Sequence, residues 1–116
     1  MKRRPLVSLI FINYNSTDFL ERALLSLNQA EPELDKEIIV VDNCSYDREA
    51  VKRLCGRLFC RLVLLKKNRG YGAAANRGFL HARGDFITIV NPDVEFTPQA
   101  LSRLVAFMIE NDDVGV

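Results

Sequence analysis

A three-layer α/β/α sandwich around a mainly parallel sheet is the fold this sequence predicts. Short apolar runs alternate with helix-period segments four times along the chain, the order expected of parallel strands joined by crossover helices. Each run gives way to polar residues, and right-handed crossovers would gather those four ends on one edge of the sheet. A single domain accounts for residues 1–116: 48% of them are hydrophobic, and a chain of this length buries roughly two thirds of its unfolded surface. No linker, repeat or low-complexity stretch divides it.

Val7–Ile12 is a nearly continuous apolar run, the mark of a strand covered on both faces. Ser16, Thr17 or Asp18 can cap the helix that follows, and Asp18-x-x-Glu21 has capping-box spacing. Leu20, Ala23, Leu24 and Leu27 share one helical face, and Pro32 ends the segment. Glu37–Val41 is the second buried strand. Asp47–Leu58 carries Val51, Leu54, Cys55 and Leu58 at helical spacing, with Gly56 weakening its final turn. Arg61–Leu65 is the third strand, Ala73–Ala82 the third helix and Phe86–Val90 the fourth strand. Thr97 is a suitable N-cap with Pro98 at the first helical position, ahead of Leu101, Leu104, Val105 and Met108 on one face. Val114-Gly115-Val116 has the composition of a fifth strand cut short, so the sheet is expected to be truncated after its fourth β–α unit.

Composition removes several function classes. Sixteen basic against fifteen acidic residues leave a net charge of +1, which gives no electrostatic case for nucleic acid. Lys2-Arg3-Arg4 is either a solvated end or a weak contact with phospholipid headgroups. No apolar run approaches the roughly 20 residues of a membrane span, and no small-residue cleavage site follows the run from Pro5 to Ile12. Cys44, Cys55 and Cys60 are odd in number and lack metal-ligand spacing. A disulfide framework is therefore not expected, and a reducing cytoplasmic setting is.

The chemistry lies at the strand ends: Asn13-Tyr14-Asn15, Asp42-Asn43, Lys66-Lys67-Asn68-Arg69 and Asn91-Pro92-Asp93. Asn, Asp and Gly are common in turns after strands, so any one of these alone is unremarkable. Four together on one edge, where ligands bind in parallel α/β sheets, point to a site. Asp42 could accept hydrogen bonds from a nucleobase or ribose, or could be an N-cap or turn-forming residue. Asn13 to Asn15 would make the neighbouring wall, with Tyr14 offering a ring face and a hydroxyl. Gly70 and Gly72 leave room for a ligand at the start of a helix whose free N–H groups favour phosphate. Asn76, one turn in, either reaches back to that ligand or sits on the helix surface. Asp93 is a strand-end carboxylate of the kind that holds Mg²⁺ or Mn²⁺ together with a diphosphate. Glu95 is near enough to contribute, whereas Asp85 precedes its strand and reads as a turn residue. His81, the only histidine, has no partner motif and reads as structural or solvent-facing.

The ordered set V-S-L-I-F-I-N-Y-N, I-I-V-V-D-N-C-S-Y-D, N-R-G-Y-G-A-A-A-N-R-G and I-V-N-P-D-V-E-F-T-P resembles the inverting family 2 glycosyltransferases of the GT-A fold, a Rossmann-like nucleotide-binding architecture. The likeness runs from Val7 to Asn111. It implies that Asn13, Tyr14, Asn15 and Asp42 hold the nucleoside of a nucleotide-diphosphate sugar, and that Asn68, Gly70, Gly72 and Asn76 shape the sugar and phosphate region. Asn91-Pro92-Asp93 stands at the family's D-x-D motif, with Asp93 in the metal-binding role and Asn91 replacing the first acid. The N-P-D form is most similar to bacterial enzymes that add rhamnose or related sugars to cell-surface glycans.

The resemblance further implies a glycan or lipid-linked acceptor, polysaccharide biosynthesis, and a cytoplasmic enzyme working at the inner face of the membrane. Family members are longer, so the chain reads as the amino-terminal, donor-binding fragment, with the acceptor site and general base downstream. Binding without turnover is the expectation for such a fragment, and an uncovered sheet edge would invite a homodimer. Two rivals come from other classes. Gly70-x-Gly72-x-x-Ala75 imitates a dinucleotide-binding fingerprint, but it follows the third strand rather than the first. A non-catalytic nucleotide-binding or assembly module is the other.

Overall fold

The computed structural model describes residues 5–111. Eight elements follow in order: β1 (Val7–Asn13), α1 (Thr17–Ala30), β2 (Lys36–Asp42), α2 (Arg48–Arg57), β3 (Arg61–Leu64), α3 (Tyr71–His81), β4 (Phe86–Val90) and α4 (Ala100–Glu110). The strands form one sheet in the order β3-β2-β1-β4, and every pairing is parallel. This is the α/β/α architecture expected from the sequence. The fifth strand expected at residues 114–116 lies outside the described residues.

Alternation along the strands divides the core. Val7, Leu9 and Phe11 of β1 with Ile38 and Val40 of β2 pack against α1, α2 and α4. Ile10, Ile12, Ile39 and Val41 face the other way, onto Ala74 and Ala75 of α3. One face thus carries three helices and the other carries α3. That helix lies close to the sheet because of Gly78, where a Cβ would come within 2.6 Å of Ile10 Cγ2. A second close approach stands at the amino edge: the Gly84 N–H donates to Ser8 Oγ at 2.8 Å, and a Cβ there would meet Ser8 N at 2.7 Å. Asp85 acts as the expected turn residue, its carboxylate accepting the Leu6 N–H at 2.9 Å.

Three element starts differ from expectation. Helix α1 is preceded by Ser16, which makes no side-chain cap; its hydroxyl donates instead to the Tyr14 carbonyl. The Asp18–Glu21 capping box is therefore not formed. Helix α3 begins two residues early, at Tyr71, because Gly70 supplies the turn with φ 86°. Helix α4 begins at Ala100 rather than after Thr97, with Gln99 in the left-handed region at φ 61°. Its cap comes from the far end of α1. The buried Glu31 carboxylate accepts the N–H groups of Leu101 at 2.8 Å and Ser102 at 3.1 Å, satisfying donors that a helix start leaves open.

Candidate functional site

Parallel register brings the strand ends side by side. Asn13 lies opposite Asp42, Asp42 opposite Leu64, and Phe11 opposite Val90, so Asn91 follows on the same edge. At the centre is a buried polar knot. Asp42 accepts Asn13 Nδ2 at 3.1 Å, the Ser45 hydroxyl at 2.7 Å and the Ser45 N–H at 3.0 Å. Its carboxylate, fully enclosed, fills three of about four acceptor places in this way. These bonds make Asp42 a turn-forming residue, one of the uses the sequence leaves open to it. Asn13 Oδ1 is buried without a hydrogen-bond partner.

The knot fixes the loops above it. Asn15, itself left-handed at φ 52°, donates its N–H to Ser45 Oγ at 2.8 Å and accepts the Tyr46 N–H at 2.9 Å. The β1 and β2 loops are thereby stitched together. Asn43, also buried, reaches the other way: its Oδ1 accepts the Arg69 N–H at 3.1 Å and its Nδ2 donates to the Gly70 carbonyl at 3.3 Å. Asn68 Oδ1 accepts the Gly70 N–H at 2.8 Å, an Asx turn that completes the approach to α3. A Cβ at Gly70 or Gly72 would meet nothing within 4 Å, so the start of α3 faces open space.

That space is a hollow of about 360 Å³ walled by Tyr14, Asn43, Asn68, Gly70, Tyr71 and Asn91 among others. It shares Ser16, Asn91 and Pro92 with a neighbouring hollow of about 380 Å³ that reaches Asp93. Beyond Asp93 a third, of about 410 Å³, is lined by Phe19, Arg22 and Glu95, with the Arg22 guanidinium 5.5 Å from the Phe19 ring centre. The result is a trough along the carboxyl edge of β1 and β4. Of the residues singled out in the sequence, Tyr14, Asn68, Gly70 and Asn91 line its first part and Asp93 its middle. Asn13 and Asp42 lie buried at the ends of their strands. Asn76 is exposed on α3, outside the lining, and His81 is half-buried at that helix's end.

Asn43, Ser45 and Tyr71 were not singled out as site residues. The Asp42-x-x-Ser45 spacing of an Asx-type turn was the available signal for Ser45. Asn43 carries the strand-end position alone as a signal, because its partners lie 26 and 27 residues away. Among the described residues no group of three or more His, Cys, Asp or Glu side chains could hold a metal ion, so a cation here would depend on Asp93 and on oxygens from a ligand. No helix among them is long and apolar enough to cross a membrane.

Comparison with known proteins places the architecture. A dolichol-phosphate mannosyltransferase of Pyrococcus furiosus is 29% identical over 112 residues, covering 95% of this chain and 32% of its own length. The mannosyltransferase PcManGT from Pyrobaculum calidifontis, solved with GDP-Man and Mn²⁺, superposes with a TM-score of 0.80 at 27% identity, over 92% of this chain and 33% of that one. S. aureus TarS 1-349 with UDP-GlcNAc gives 0.77 at 30% identity, over 90% and 31%. The chain thus spans about a third of the length of these proteins. The sequence pattern of glycosyl transferase family 2 matches residues 8–116, and with the parallel GT-A sheet and its carboxyl-edge trough in place, the chain belongs to that family.

Proposed function

We propose that residues 1–116 form the donor-binding part of an inverting, metal-dependent glycosyltransferase that moves a sugar from a nucleotide-diphosphate sugar to a glycan or lipid-linked acceptor in cell-surface polysaccharide synthesis. The observation that carries this is the trough, which joins the open start of α3 to the Asp93 carboxylate. Tyr14 and Asn15, resting on Asn13 and Asp42, would flank the nucleoside. Asn68, Gly70, Gly72 and Asn76 would border the diphosphate and sugar, the N–H groups and dipole of α3 attracting phosphate. Asn91 would contact the sugar side of the donor.

An exposed carboxylate facing a hollow beside a phosphate-seeking helix end fits a hard cation, which takes one or two protein carboxylates and fills its remaining places with phosphate and water. Asp93 would hold that Mg²⁺ or Mn²⁺ ion. When bound, the ion offsets charge on the departing nucleoside diphosphate. Pro92 restrains the turn that aims Asp93, and the buried knot under the loops keeps the donor edge ordered before any ligand arrives. The acceptor site and the base that deprotonates its hydroxyl are assigned to the rest of a longer protein, because relatives are about three times this length. The same proposal sets the enzyme in the cytoplasm at the inner membrane face and has two copies pairing through the open sheet edge.

Calorimetric titration of the chain with UDP, dTDP, GDP and NAD⁺, each with and without Mn²⁺, tests the proposal. Metal-dependent binding of a nucleoside diphosphate is expected. In Asp93→Ala the metal effect should vanish while metal-free nucleoside binding persists. NAD⁺ binding without metal dependence would sink the transferase assignment in favour of a dinucleotide site.

A further inference from the structure

Helix α2 ends on a pair of groups that the donor site does not use. The residue after its last turn, Phe59, is left-handed at φ 58°, and the Cys60 N–H donates back to the Cys55 carbonyl at 2.9 Å. This is a Schellman ending, in which the side chains at the two ends of the closure pack together. Here both are thiols. Cys55 is buried in the core beneath α2, and Cys60, half-buried, packs against the same cluster. A disulfide requires Cα atoms within roughly 4.4–6.8 Å and side chains that meet. The backbone bond from residue 60 to residue 55 draws the two together.

The two neighbouring thiols also differ in acidity. A hydrogen bond from the Cys60 thiol lowers Cys55 below the ordinary thiol range, against the opposing effects of burial and the Asp42 charge. The same bond, with burial, pushes Cys60 far up, and the Cys60 S–H also reaches the Leu58 carbonyl at 3.8 Å. Ionisation therefore belongs to the pair, with Cys55 the more acidic of the two.

We propose that Cys55 and Cys60 are a redox modification site, closing to an intramolecular disulfide by exchange with a low-molecular-weight disulfide such as oxidised glutathione. Access sets the order of events. The outer Cys60, giving its proton to the Cys55 thiolate as it reacts, attacks one sulfur of oxidised glutathione and forms a mixed disulfide. The one glutathione thiolate released takes that proton from Cys55. Cys55, as thiolate, then attacks Cys60 Sγ and expels the second glutathione. Two protein thiols are oxidised, one glutathione disulfide is reduced, and the two thiol protons end on the two glutathiones. Cys44 lies elsewhere, left-handed at φ 67° with its thiol donating to the Lys66 carbonyl at 3.4 Å.

The test uses the reduced chain carrying Cys44→Gly, a change that a left-handed position accepts. It is equilibrated with oxidised glutathione, alkylated, and read by intact mass and peptide mapping. Both remaining thiols should be lost, with a net mass loss of two hydrogens before alkylation, a cross-link between residues 55 and 60, and recovery on adding dithiothreitol. Adding Cys55→Ser should trap one glutathione on Cys60; adding Cys60→Ser, at the half-buried position, should leave Cys55 unreacted. Two thiols still alkylated as in the reduced protein, or glutathione retained on Cys60 while Cys55 is present, overturns the proposal.

Discussion

Asn43 shows how one side chain can set a loop that lies far away in sequence. It donates to the Gly70 carbonyl and accepts from the Arg69 N–H, so the glycine-rich approach to α3 is tied to the end of β2. Asn43 is buried while both contacts are part-buried, so losing them costs about 1 kcal/mol. Asn43→Ala should therefore lower the unfolding free energy by about that amount. It should also weaken nucleoside diphosphate binding more than it changes the far-ultraviolet dichroism, because the helices do not depend on it. Asn43→Asp keeps the acceptor and loses the donor, and should fall between the two. Chemical denaturation and calorimetry measure the two effects; wild-type affinity in Asn43→Ala would mean that the loop is held by other contacts.

Elements meet in a comparable way at the start of α4. Glu31 closes α1 and caps α4, its carboxylate taking two backbone N–H groups and the Ser102 hydroxyl at 2.5 Å. Charge-assisted bonds to helix N–H groups exceed neutral ones, so Glu31→Ala should cost about 1–3 kcal/mol in urea unfolding. Glu31→Gln, which retains acceptor oxygen, should cost less, and equal losses in the two variants would show that the charge contributes nothing. This contact explains what the sequence could not reveal. Thr97-Pro98 has the local signature of a helix start, yet the helix begins where a glutamate 70 residues earlier supplies the cap. β1 and β2 were legible because their apolar runs are buried on both faces, and the carboxyl-edge cluster followed from parallel topology. Asp42 was legible as a strand-end acid but not as the centre of a knot, since it is the end of the paired strand β1 that brings Asn13 to it from 29 residues away. Gly78 carried no signal either: only its closeness to Ile10 gives it a purpose.

At the scale of the whole molecule, the layers are unequal. Among the described residues, three helices cover one face of the sheet while α3 alone packs on the other, and β4 pairs with β1 on one side only. Helix α4 buries Val105 and Met108 but leaves Leu104, Phe107 and Ile109 about half exposed, with Phe19 and Leu25 of α1 likewise open. Apolar side chains grouped on α4 beside an unpaired strand edge favour association, since pairing would remove apolar surface from water and satisfy free backbone groups. β4 is the better edge for this, because β3 has four residues and presents the exposed Arg61 at its start. Light scattering on the 116-residue chain should therefore give a mass above the 13.2 kDa of one copy that rises with concentration. Lysine substitutions at Leu104 and Ile109, which point away from the core, should shift the chain toward monomer if α4 contributes to the contact, while Thr88→Pro should do so if β4 is the pairing edge. A mass fixed at one copy across the concentration range would show that the open edge and the apolar face of α4 are tolerated in solution without a partner.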